Sequence, residues 1–525
     1  MSLLINLDDA PEHVEFHGDI CIVGAGAAGI TLAMELRSTG KKIILIDGGG
    51  LGYSEDSQSL YRMQRSVWYP DPTMSRVRFF GGSTNHWEGS CRTFDPIDFE
   101  RRSWVPDSGW PISYRDLELY YDRAFPYMEL GPRYVDESPF ASQIGAYNRK
   151  LAAAGLTVRL TYSSPPTAFG TMYLDPLRHA RNVTIVTRGN LKSIDEAADR
   201  QSVRSVTLIN YRRRTTVVKA KYYVIALGGI ENPRALLMSD AVSPGGIGNE
   251  HDVVGRYFMD HPVIDACVFY PTQDFIRAWD KGTKKRDLVL QASQDTLRRH
   301  GLTNARMPLQ RSPRAETSDG IESAHQLEKA IAKHKGLHHI LHHLGSILGD
   351  SDVLVEQWLH KKGYSTGDKY SSEYGGYASQ MMMEQRPNRD NRIVLTADRD
   401  SLGLRKGKIL WQLPQSEKND FKRLVDEVAR GLGAQGIAVT HTSIDYDDTD
   451  RCFEELMNFG HHHMGTTRAS ADPRKGVVDG DQRIHGRKNI YIAGSSVFPT
   501  GSHVTPTTTI VAMTIRLADH LRKKA

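Results

Sequence analysis

Apolar residues come first as a run of strand length, Asp19-Ile20-Cys21-Ile22-Val23, which ends at a turn of glycines, Gly24-Ala25-Gly26-Ala27-Ala28-Gly29. From Ile30 to Leu36 the apolar positions recur at helical spacing, and Lys41 to Ile46 is a second strand closing on Asp47. The order strand, glycine turn, helix, strand, acid predicts a βαβ unit that binds a dinucleotide. Its glycines let the backbone approach a pyrophosphate whose charge is met by the helix N-terminus. Asp47 lies eighteen residues past Gly29, close to the spacing at which an acid meets the adenosine ribose. A glycine-rich turn in an ordinary α/β domain is the competing reading, and the full context disfavours it.

Further along, Val183 to Val186 and Val203 to Ile209 have strand patterns. Tyr222 to Leu227 is a buried strand that breaks at Gly228-Gly229 into a helix from Glu231 to Met238. Asn489-Ile490-Tyr491-Ile492-Ala493-Gly494 repeats that strand-then-glycine pattern, and a final helix is predicted from about Thr508 to Leu521. Strands suited to one nucleotide domain therefore come from both ends of the chain. Between them the texture changes: Pro- and charge-rich loops such as Arg311-Ser312-Pro313-Arg314 alternate with a helix from Ala324 to Lys333 and strands at Ile393 to Leu395 and Ile409 to Leu413. The predicted organisation is a discontinuous nucleotide domain, 15–262 and 450–525, around a substrate domain at 263–449. A loop at about 70–100 is expected to approach the cofactor.

At 525 residues, 39% hydrophobic and 25% charged, the chain is long enough for two cores. The net charge of +5 is small for this length and the basic residues are scattered, so nucleic-acid binding has no footprint. Cys21, Cys91, Cys267 and Cys452 are far apart, which argues against a disulfide framework or a metal cluster and for reduced thiols in a cytoplasmic setting. Met1 to Asp19 has acids where a signal peptide needs a basic start, and no apolar stretch approaches the length of a membrane span.

Candidate chemistry sits in the tail. Gly460-His461-His462-His463-Met464-Gly465-Thr466-Thr467 precedes Gly494-Ser495-Ser496 and Thr505-Pro506-Thr507-Thr508-Thr509. His clusters also bind metals or sit satisfied in cores. A second group, His338, His339, His342 and His343, has the spacing of helical metal ligands, but no acid stands where a zinc protease helix carries its Glu, so a solvated helix face is expected. No metal site is expected anywhere in the chain.

Taken in order, these motifs resemble the glucose-methanol-choline (GMC) family of flavin oxidoreductases, in particular its bacterial branch near sugar and gluconate dehydrogenases and pyranose oxidases. They are the N-terminal dinucleotide turn, Gly81-Gly82-Ser83-Thr84-Asn85-His86-Trp87, Gly228-Gly229, Gly255-Arg256-Tyr257-Phe258-Met259-Asp260-His261-Pro262, Gly476-Val477-Val478-Asp479 and the tail. The resemblance implies an α/β fold with a discontinuous Rossmann-like FAD domain and a sheet-based substrate domain over the flavin. It places FAD against Gly24, Gly26, Ala28, Gly29, Asp47, Gly81, Gly82, Ser83, Asn85, His86, Gly228, Gly494, Ser495, Thr505 and Pro506. His86 also matches the position at which pyranose oxidases link the flavin, although the residues ahead of it differ.

The family's catalytic histidine stands four residues before the Thr of a Gly-Thr pair, which here makes it His462. A neutral imidazole is the usual acceptor of a hydroxyl proton near pH 7. The family's second group, an Asn or His before the Pro that opens the last helix, is replaced by Thr505. His503 lies two residues earlier, and alternation along an extended segment would turn both side chains to one face, with His503 taking the partner's role and Thr505 tuning it. The implied activity is FAD-dependent oxidation of an alcohol group on a sugar, glycoside or cyclitol, with O2 or another acceptor taking the electrons. A non-redox lyase on the same scaffold and a non-sugar alcohol as substrate are the alternatives.

Overall fold

The computed structural model of the chain describes residues 3–12, 14–133, 144–145, 147–283, 287–313, 323–324, 347–348, 374–442, 453 and 457–524. The helix expected from Ala324 to Lys333 lies, but for its first residue, outside the described residues, as do His338, His339, His342 and His343.

The apolar runs at the two chain ends assemble into one eight-stranded sheet. Strand Glu15–Val23 is central, with Ile43–Ile46, Val183–Thr187 and Leu3–Asn6 following on one side and Thr215–Ile225 on the other. Ile490–Ile492 also pairs with Thr215–Ile225, in parallel, while Val203–Ile209 and Asn190–Glu196 complete the sheet antiparallel. The register sets Val23 beside Ile46 and Ile225, and Ile225 beside Ile492. Four parallel strands thus finish level, so the loops after them emerge along one edge, the usual place for a ligand in such sheets. Helix Ala27–Leu36 packs on the sheet and against Thr507–Lys524, which runs nearly to the chain's end. Both helices are buried on most sides, consistent with their apolar and small residues, and they share one core with the strands.

A nine-stranded antiparallel sheet forms the second layer, running Ala438–Thr442, Pro262–Pro271, Tyr374–Met383, Ala305–Pro308, Asp287–Ala292, Leu156–Ser163 and Ser90–Cys91. Two of these strands precede residue 262, so the substrate layer draws on more of the chain than 263–449. Helix Gln415–Ala434 has Phe421, Leu424, Val425, Val428 and Leu432 on one stripe, buried in this sheet's own core. Arg392–Arg399 and Arg405–Leu410, predicted for the substrate layer, instead form a small sheet with Gln64–Arg65.

Candidate active site

A cavity of about 610 Å³ lies between the two large sheets. One end is built by the level strand ends: Gly24 to Ala28, Asp47 and Gly48, Ala226 to Gly229, and Gly494 and Ser495 all line it. Gly24 has φ of 110°, and a Cβ there would lie 2.4 Å from the Ala226 carbonyl oxygen, so only glycine permits the turn. At Gly26 a Cβ would meet nothing within 4 Å: it would project into open space. Gly26 is also the N-cap of Ala27–Leu36 without a side-chain cap, leaving the first-turn amides free for an anion.

Asp47 accepts hydrogen bonds from the Gly49 amide at 2.8 Å and the Ala25 amide at 3.2 Å, which stitches the two strand-end loops together. Burial raises its pKa, opposed by those amides and by the Arg78 guanidinium. Arg78 lines the same end, and its Nη1 is buried without a protein partner. A cation with an orphaned donor, free helix amides and an open cradle at Gly26 together fit the pyrophosphate and ribose of FAD.

The loop after Phe79 closes over this end. The Gly81 amide donates to Ala25 O at 2.8 Å, and a Cβ on Gly82 would come within 3.1 Å of the Gly26 Cα. Gly82, Ser83 and His86 line the cavity. Gly29, Gly81 and Asn85 instead support the wall from behind. A Cβ on Gly29 would sit 1.8 Å from the Gly24 carbonyl oxygen, so this glycine serves helix-to-strand packing, and the Asn85 amide donates to Phe80 O at 3.0 Å.

His462 reaches the cavity because of a bulge. Strand Met457–Phe459 pairs Phe459 with Pro262, and pairing resumes at Met464 with Met259. Gly460 to His463 must therefore oppose only Asp260 and His261, and the surplus backbone loops outward through His461, whose φ is 57°. Asp260 fastens the bulge: its Oδ1 accepts from the His261 and His462 amides, both at 2.7 Å, and its Oδ2 accepts from the Tyr69 hydroxyl. His461 and His462 line the cavity. His463 packs its ring on Phe258 at 5.8 Å, and its Nε2 is buried without a partner.

The partner of His462 is His261, Nδ1 to Nδ1 at 2.8 Å. His261 Nε2 faces the Gly501 carbonyl at 3.2 Å. A carbonyl can only accept, so that nitrogen carries the proton. Burial brings the His261 pKa down to about 4, so the ring is neutral and its Nδ1 is bare. The proton between the rings must then belong to His462 Nδ1. Burial, with the charge of Arg306 nearby, holds His462 well below its ordinary value too. A neutral ring protonated at Nδ1 has its lone pair on Nε2, and that is the nitrogen left free to act as a base.

The assignment of His503 as the second catalytic group is not met. Ser502 has φ of 54° and residues 503–504 form a bend, so the segment is not extended and alternation is lost. His503 is fully buried and outside the cavity lining, with Nε2 3.0 Å from Gln291 Oε1, and burial lowers its pKa to about 3. Thr505 does line the cavity, as does Pro506, but its hydroxyl donates to Ser90 O at 2.7 Å. A proton already given to a carbonyl is not available to a developing alkoxide, so Thr505 acts as a brace between the last helix and strand Ser90–Cys91.

Residues 19–243 match the family described as FAD dependent oxidoreductase, and residues 387–514 the family described as GMC oxidoreductase. The fructose dehydrogenase large subunit of Gluconobacter japonicus is 22% identical, over 95% of this chain and 97% of its own. The two family models, met in this order along one chain, and relatives aligned over nearly its whole length make it similar to the GMC oxidoreductases. The 6'''-hydroxyparomomycin C oxidase of Streptomyces lividus is 24% identical, over 96% of this chain and 92% of its own. Among solved structures, pyridoxine 4-oxidase from Mesorbium loti superposes with a TM-score of 0.59 at 15% identity, covering 97% of this chain and 99% of its own, which bears on the fold. The cofactor of this oxidoreductase is FAD.

Three cavity or base-positioning residues escaped the sequence reading. His261 lay within a quoted motif, but its contact with His462 spans 201 positions in sequence and has no local signal. Arg78 and Arg306 are single cations among 67 Lys and Arg, and only burial beside the cavity distinguishes them. For His86, exposed and lining the cavity, acid precipitation of the holoprotein is expected to leave the yellow colour in the supernatant. A yellow pellet would mean a covalent bond at His86.

Proposed function

We propose that this oxidoreductase converts an alcohol group of a sugar, glycoside or cyclitol to a carbonyl, with His462 as base. The observation that carries this is the His261–His462 pair at the cavity, which fixes a neutral imidazole with a bare Nε2. When bound, FAD supplies the two-electron acceptor for the hydride of the carbinol carbon. His462 Nε2 takes the hydroxyl proton, so the oxygen electrons are released to form the carbonyl as the hydride leaves. The substrate end of the cavity includes Val263, Gln380, Met382, Asn458 and Phe459, a mixture of amide groups and apolar surface suited to a polyhydroxylated ring. The similarity to a fructose dehydrogenase and a 6'''-hydroxyparomomycin C oxidase supports carbohydrate as the class. Cys21, Cys91 and Cys267 are free and buried, in keeping with a reducing compartment.

Anaerobic addition of sugars, glycosides and polyols to the holoprotein is the test. At least one is expected to bleach the flavin absorbance. A flavin that stays yellow while the added compound is consumed would establish the lyase alternative instead. Admitting air after bleaching then reads whether O2 or another acceptor restores the oxidised form.

A further inference from the structure

We propose that the substrate carries an oxyanion, a carboxylate or a phosphate, and that Arg306 binds it. This rests on the carbohydrate reading above and narrows it to acidic members of that class.

Arg306 stands on strand Ala305–Pro308 of the substrate sheet and lines the cavity. Among the described residues its only side-chain hydrogen bond is from Nη1 to Ser90 Oγ, a long one at 3.3 Å, and its Nε is buried without a partner there. No carboxylate lies within salt-bridge distance of it among the described residues. Glu88, the acid whose charge it feels, is exposed. Arg92, the basic neighbour on its other side, is committed to Asp95 at 3.1 Å.

The other arginines of the cavity wall are treated differently. Arg76 pairs with Glu231 at 2.9 Å, and Arg234 pairs with Glu231 at 2.9 Å and Asp400 at 2.8 Å. Arg78 faces Asp47 at the dinucleotide end. A guanidinium withdrawn from water without a counter-ion is costly, and such a group is retained where a ligand supplies the missing charge. Burial accordingly lowers the pKa of Arg306.

Its place selects the ligand. The charge of Arg306 lowers the pKa of both His462 and His261, which puts the guanidinium on the side of the cavity where the proton is taken. It comes from the second sheet and meets Ser90 on strand Ser90–Cys91, whereas the Gly24–Gly26 cradle belongs to the first sheet. The planar fork of donors suits carboxylate and phosphate oxygens equally, and binds them more strongly than a neutral hydroxyl.

The test compares binding to the holoprotein by calorimetry or by perturbation of the flavin spectrum. The ligands are glucose, glucuronate and glucose 6-phosphate, with tartrate and inorganic phosphate as small oxyanions. An acidic ligand is expected to bind about tenfold or more tighter than glucose, the scale of a charge-assisted hydrogen bond. Glucuronate with tartrate, or glucose 6-phosphate with inorganic phosphate, identifies the oxyanion. In Arg306→Met the preference should vanish with FAD content unchanged, and in Arg306→Lys part of it should return. Equal binding of glucose and the acidic ligands by the wild type, or an undiminished preference in Arg306→Met, overturns the proposal. Because binding is read apart from turnover, oxyanion binding without bleaching by any sugar would defeat the carbohydrate reading and leave the role of Arg306 standing.

Discussion

His462→Ala is expected to retain FAD and slow anaerobic flavin reduction by roughly 10²- to 10⁴-fold, the scale of a lost general base. Retention follows from the structure: the tie from this residue to Asp260 is through its backbone amide, which alanine keeps, so the bulge should persist. The ring loses one neutral hydrogen bond, to His261, worth about 1 kcal/mol. Rate and stability should therefore part company, which separates a base from a structural histidine. The pH profile offers a second check. Burial and the neighbouring charge of Arg306 depress the His462 pKa below its ordinary 6.5. The bare ring is the active form, so the wild-type reduction rate should be flat through neutral pH and fall only on the acid side of 6.5, and the variant should lack that limb. A nearly unchanged reduction rate in His462→Ala would remove it from the chemistry.

Gly26→Val is expected to give a folded, colourless protein. Its φ is −89°, which any residue adopts, and an added Cβ meets no atom of the protein within 4 Å. The side chain would instead occupy the space at the N-terminus of Ala27–Leu36 that the pyrophosphate needs. The thermal midpoint should fall only by what bound FAD contributes through mass action, about 2.7 kcal/mol at a hundredfold excess over Kd. Gly29→Val provides the contrast. There a Cβ would lie 1.8 Å from the Gly24 carbonyl oxygen, so strand and helix could not keep their packing and the variant should fail to fold. Absorbance at the flavin band together with a melting curve distinguishes the two. A yellow, fully loaded Gly26→Val protein would refute the pyrophosphate assignment.

The sequence by itself determined the elements whose signals are local. Val203–Ile209 was legible to the residue, and the run Ile20 to Val23, the glycine turn and Asp47 announced a dinucleotide site because the chemistry and its spacing lie within one βαβ unit. The place of His462 beside the cavity could be anticipated because its motif is contiguous. What surrounds it was decided by tertiary structure alone. The His261 partner stands just before another strand, Pro262–Pro271, and is brought close by the pairing of Met259 with Met464 and Pro262 with Phe459. His503 looked equally available in the sequence, yet a left-handed Ser502 and the bend after it turn it into the buried polar cluster with Gln291 and Asp95. The substrate sheet recruits Leu156–Ser163 and Ser90–Cys91 from within the nominal FAD half, since antiparallel pairing is satisfied by proximity in space and not by order along the chain. A side chain's chemical type is written in the sequence, but its partners, its burial and hence its protonation are properties of the packed sheets.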